Sequence, residues 1–194
     1  GEAGFDWRLE SYGDPEHARR SVLDLIGSRP AALVLSGFVP ETGIRQRILD
    51  QGLATVLFDS TSTDWDAVAL DRESGSAEAV GLLLDSGKRR ILLLGAGIDS
   101  ERGLGWRRAH VSRGVRIDPT LVWDRPFPRN LHHWGLEQGR ELAARGDIDG
   151  VFAVNDAAAL GVLRALHESG RRVPEAVAVI GLDGILAALL TIEQ

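Results

Sequence analysis

Residues 151–180 read VFAVNDAAALGVLRALHESGRRVPEAVAVI, and their pattern sets the fold. The apolar run 151–154 is short, continuous and rich in branched and aromatic side chains, which predicts a buried strand. Residues 157–169 have apolar positions at helical spacing, and Gly170 supplies the helix stop. A second apolar run, 177–180, predicts another strand. Strand, helix and strand in this order form one parallel unit, joined by a right-handed crossover.

The alternation continues outward in both directions. Asp14-Pro15-Glu16 is a helix start, with Asp as the N-cap and Pro in the first turn. Val22, Leu23, Leu25 and Ile26 follow at helical spacing, and Pro30 closes that segment. Strands are predicted at 31–35, 54–58, 91–94 and 121–123. Helices are predicted at 44–52, 74–86, 102–113 and 134–144. The result is an α/β chain of two doubly wound parallel-sheet lobes. Ligands in such folds sit beyond the C-terminal ends of the strands. That rule singles out Ser36, Asp59, Gly95, Asn155 and Asp183.

Composition narrows the function classes. The chain has 194 residues, 44% apolar and 26% charged, with a net charge of −6. It is globular in composition and lacks the basic excess of a free-standing nucleic-acid binder. Lys88 is its single lysine, and it has no cysteine, which excludes disulfides and thiolate chemistry. No apolar run is of transmembrane length, and no signal peptide is expected within these residues.

Several catalytic motifs fail. Gly95-Ala96-Gly97 follows a strand, but the third position of a dinucleotide fingerprint is Ser100. Gly87-Lys88 has the wrong spacing for a phosphate loop, and Arg89 stands where Ser or Thr would bind magnesium. No G-x-S-x-G elbow exists. His132 and His133 are read as neighbours in a solvated turn, unsuited to a helical zinc pair. Asp64 and Asp66 lie in a polar segment, read as a solvated loop. No catalytic residue, metal or cofactor is expected.

The segment Phe152-Ala153-Val154-Asn155-Asp156-Ala157-Ala158-Ala159-Leu160-Gly161 resembles the A-x-N-D-x-x-A-L-G stretch of LacI/GalR transcription repressors. Arg172-Val173-Pro174-Glu175 through Gly181-Leu182-Asp183 resembles their V-P followed by G-x-D. Ser86 to Gly95 is similar to their G-H-R-x-I-x-x-L-x-G, and Arg102-Gly103-Leu104-Gly105-Trp106 to their R-x-x-G-F/W. Val68-Ala69-Leu70-Asp71 looks like the start of the family's second lobe. The likeness covers nearly the whole chain from Gly4-Phe5-Asp6 onward.

The resemblance implies a periplasmic-binding-protein-like sensor domain with an N-terminal lobe at 1–70, a C-terminal lobe at 71–182 and a crossover at 183–194. It implies that the family's helix-turn-helix and first core strand lie outside this chain. It also implies a small polar effector, a sugar, held in a cleft, a cytoplasmic homodimer, and operator DNA bound through the absent helix-turn-helix. Transport by a periplasmic sugar-binding protein is the alternative. Arg102, Asn155 and Asp183 are carried to the ligand site. Arg offers a planar fork of donors, Asp accepts from two hydroxyls, and Asn offers one donor and one acceptor. Each also has a plain structural role open to it: solvated helix residue, helix N-cap and turn residue respectively. Asp59 and Asp71 are further candidates near the lobe crossover. Phe127 and Trp134 are candidates for an aromatic wall against a sugar ring.

Overall fold

The structure, a computed structural model, describes residues 6, 8–11, 14–126, 128 and 130–184. The chain divides into two compact units, Gly1–Leu70 and Asp71–Gln194. The expected crossover segment lies outside the described residues beyond Gly184. No described helix is long and apolar enough to cross a membrane.

The first unit contains α1 (Pro15–Gly27), β1 (Ala32–Ser36), α2 (Thr42–Asp50), β2 (Ala54–Phe58) and β3 (Asp66–Val68). Asp14 caps α1 by accepting from His17 N at 2.8 Å. The three strands are parallel in the order β1-β2-β3, with Val34 beside Val56 and Phe58 beside Val68. Val22 and Ile26 of α1, Ile44 and Ile48 of α2, and Leu33, Leu35 and Leu57 of the sheet form its core. Both helices lie on that side. The link from β2 to β3 contains no helix, so the described helices cover one face only. Val34, Val56 and Phe58 on the other face are exposed among the described residues.

The second unit contains α3 (Arg72–Asp85), β4 (Ile91–Leu94), α4 (Glu101–Ser112), β5 (Val122–Trp123), α5 (Leu131–Ala143), β6 (Gly150–Ala153), α6 (Asp156–Glu168) and β7 (Ala178–Ile180). The strands are all parallel, in the order β5-β4-β6-β7. β4 and β6 occupy the centre, and all four residues of each are buried. Burying a side chain such as Leu93 stabilises the fold by about 2 kcal/mol. Right-handed connections place α4 on one face and α5 and α6 on the other. α3 packs on α4, and α5 packs on α6.

Trp106 ties α4 to the sheet. It is fully buried and donates its indole N–H to Ile91 O at 3.0 Å. His110 stacks on it with ring centroids 4.1 Å apart. Its Nδ1 lies 2.8 Å from Trp106 O, so that nitrogen donates, while the buried Nε2 has no partner among the described residues. Burial lowers the His110 pKa from its ordinary 6.5, and the bond to the Trp106 carbonyl only partly opposes this. A lowered histidine pKa stabilises the fold above 6.5 and loses that contribution as pH falls toward the folded value. Urea unfolding should show a lower stability at pH 5.5 than at pH 7.5 from this group. His110→Leu should flatten that part of the pH dependence; an unchanged slope in the variant would refute the assignment.

Candidate functional site

The strand order of the second unit reverses between β4 and β6. The chain moves outward to β5 after β4, then returns past β4 to β6 and β7. The loops after these strands part there and leave a hollow at the C-terminal edge. A cavity of roughly 860 Å³ occupies this place. Gly95, Ala96 and Gly97 line it after β4, Asp124 to Pro126 after β5, Val154 and Asn155 after β6, and Asp183 after β7. Ser100, Glu101 and Arg102 complete the lining from the start of α4.

Three sequence candidates therefore meet. Arg102 is half-buried in the first turn of α4, and its Nε donates to Val154 O at 3.0 Å. This bond fixes the guanidinium over the end of β6. Asn155 caps α6: its Oδ1 accepts from Ala158 N at 2.8 Å. The same residue lines the cavity, so the structural role and the site position coincide. With the oxygen engaged, the Nδ2 amide is the group it offers a ligand.

Asp183 holds a backbone φ of 108°, a conformation that side chains other than glycine adopt at a cost. Partial burial raises its carboxyl pKa above the usual 3.8; the Arg102 charge draws it back, and Asp156 pushes it further up. Asp156 itself is buried, and its N–H donates to Leu182 O at 2.8 Å. Gly181 makes this approach possible, because a Cβ there would lie 2.4 Å from Asp156 Oδ1.

The other candidates lie elsewhere. Asp59 follows β2 in the first unit with φ 61°, its N–H donating to Val68 O at 2.7 Å, and it does not line this cavity. Asp71 caps α3 by accepting from Ser74 N at 2.9 Å, a bond that lowers its pKa, and it is also outside the lining. Phe127 falls outside the described residues. Trp134 does not form a wall of the cavity. It is 5% exposed and packs in the unit's hydrophobic core, because the first turn of α5 directs it against the sheet.

His132 and His133 correct the sequence reading. They belong to the first turn of α5, not to a loop, since Asn130 accepts from His133 N at 3.0 Å and starts the helix three residues earlier. No cluster of three metal-ligating side chains occurs among the described residues. Asp66 opens the short strand β3 and so is not in a loop.

Sequence reading missed Asp124 and Arg125. Both follow the strand 122–123, where the strand-end rule should have placed them, but that strand is only two residues long and merges with polar chain. Arg125 stacks over Trp123 at 4.2 Å and grips Glu141 through two bonds of 2.6 and 2.8 Å. That pairing raises the Arg125 pKa and lowers that of Glu141.

Residues 80–193 match the periplasmic binding protein-like domain family. The HTH-type transcriptional regulator CelR of Thermobifida fusca is 39% identical over 121 residues, 60% of this chain and 35% of that protein. The HTH-type transcriptional regulator GntR of Pseudomonas aeruginosa is 31% identical over 191 residues, 94% of this chain and 55% of that protein. Among solved structures, a transcriptional regulator CelR–cellobiose complex superposes with a TM-score of 0.74 at 30% identity, covering 94% of this chain and 58% of that one. The chain belongs to the periplasmic binding protein-like domain family, and its similarity extends to transcriptional regulators of the LacI family. It spans roughly half or less of the length of these curated relatives.

Proposed function

We propose that this chain is the effector-sensing part of a LacI-type repressor and that its cavity binds a sugar. The convergence of Arg102, Asn155 and Asp183 on one cavity at the strand ends carries this reading. Fixed donors and a charged acceptor on rigid elements suit a polyhydroxylated ligand. The cavity volume suits a mono- or disaccharide. Similarity to a regulator solved with cellobiose puts that disaccharide first among the ligands to try. In the full-length protein, a cytoplasmic homodimer, the bound sugar changes the angle between the two units and with it the operator affinity of the paired DNA-binding heads. The relatives are regulators, and no catalytic role is assigned to the cavity.

A thermal-shift screen with cellobiose, glucose, ribose, purines and dinucleotides tests the reading. A sugar present at about 100 times its Kd should stabilise the fold by about 2.7 kcal/mol, a Tm rise of roughly 5–10 °C. A shift with a dinucleotide and with no sugar would overturn it.

A further inference from the structure

The geometry points to a cavity that selects neutral sugars against their acids and phosphates, with Asp124 as the residue that sets this preference. The inference rests on the sugar-binding reading above and adds the charge class of the ligand. Three carboxylates line the cavity, Glu101, Asp124 and Asp183, against two guanidinium groups, Arg102 and Arg125. Most of these charges are already matched. Glu101 lies 3.6 Å from Arg72. Arg125 is bidentate on Glu141 and also bonds Gln138. Arg102 acts on Asp183 and spends its Nε on Val154 O. Asp124 is exposed and has no hydrogen-bond or ion-pair partner among the described residues, which leaves one carboxylate uncompensated in the cavity.

Its position is defined. A Cβ on Gly97 would lie 2.8 Å from Asp124 Oδ2, so the carboxylate rests against bare backbone at the end of β4. The N-termini of α4 and α6 oppose the preference, since helix starts favour anions. Each is already occupied, however. Ser100 and Asn155 accept from the N–H groups of Gly103 and Ala158, and Glu101 and Asp156 place carboxylates in the two first turns. A neutral hydroxyl can donate to Asp124, whereas a ligand carboxylate or phosphate meets an unmatched like charge.

Isothermal titration of the full chain with glucose, cellobiose and ribose, and with gluconate, glucose 6-phosphate and ribose 5-phosphate, provides the test. A neutral sugar should bind at least tenfold more tightly than its anionic counterpart. The gap should narrow at high salt. Asp124→Asn should reduce the gap to about threefold or less, and Gly97→Ala, which displaces the carboxylate without touching backbone, should narrow it as well. An anionic sugar that binds as tightly as the neutral one, or a gap that Asp124→Asn leaves intact, overturns the inference while the sensor reading stands. Silence from all six ligands overturns both.

Discussion

Gly161→Ala is expected to destabilise the second unit by about 3 kcal/mol, a fall in Tm of roughly 10 °C. The cause lies in how α5 and α6 meet. A Cβ at Gly161 would stand 2.2 Å from His132 O, 2.5 Å from Leu136 N and 2.8 Å from Gly135 C. All three are backbone atoms of α5, so no side-chain rotation relieves the clash. The contact is reciprocal: a Cβ at Gly135 would lie 2.3 Å from Ala158 O. The helices approach backbone to backbone and must separate to admit one methyl group, which opens the core beneath them. Gly27→Ala is the control. Nothing lies within 4 Å of its added Cβ, and alanine in the last turn of α1 should stabilise by about 0.5 kcal/mol. Thermal unfolding followed by circular dichroism distinguishes them. Equal effects at both positions would show that the close approach of α5 and α6 does not matter.

The second large effect is on binding. Arg102→Ala should weaken the sugar found in the screen more than hundredfold while leaving the Tm of the free protein within about 2 °C. Two charge-assisted hydrogen bonds at about 1.5–3 kcal/mol each account for that loss. Lysine should restore little, because a single ammonium cannot bond Val154 O and offer a planar fork at once. Asp183→Asn probes the opposite side. The folded Asp183 pKa is raised, so its favourable contribution exists at low pH and disappears as pH rises past the folded value. At neutral pH the asparagine variant should therefore be no less stable than the parent, yet bind the sugar poorly. Titration calorimetry beside thermal unfolding measures both quantities. Binding that survives Arg102→Ala would move the site away from this cavity.

The sequence made the strand–helix alternation legible because its signals are local. The runs at β4 and β6 are continuous and apolar, and helix stops such as Gly87 and Gly170 stand where the chain must take a positive φ. Asn155 and Asp183 were visible through strand-end position and family resemblance together, and Arg102 through the resemblance alone. What was lost depended on tertiary context. All three residues of β3 are exposed, so no hydrophobic period marks the strand, and only pairing with β2 creates it. The start of α5 was missed because Asn130 caps it from within a polar loop. Trp134 was assigned to the ligand because an aromatic near a site loop suits a sugar ring, but its helical phase turns it into the core. Asp124 drew no attention because nothing in its neighbours reveals that Gly97 lies beneath it.

The two duties of Asn155 have a consequence for redesign. Its amide oxygen starts α6, the helix packed against α5, so almost any exchange at 155 disturbs the fold along with the ligand. Asp124 makes no hydrogen bond or ion pair among the described residues. A changed taste for ligands is accessible through the loop after β5 at little cost in solubility or folding yield, whereas the same change sought at 155 must be accompanied by a new helix cap.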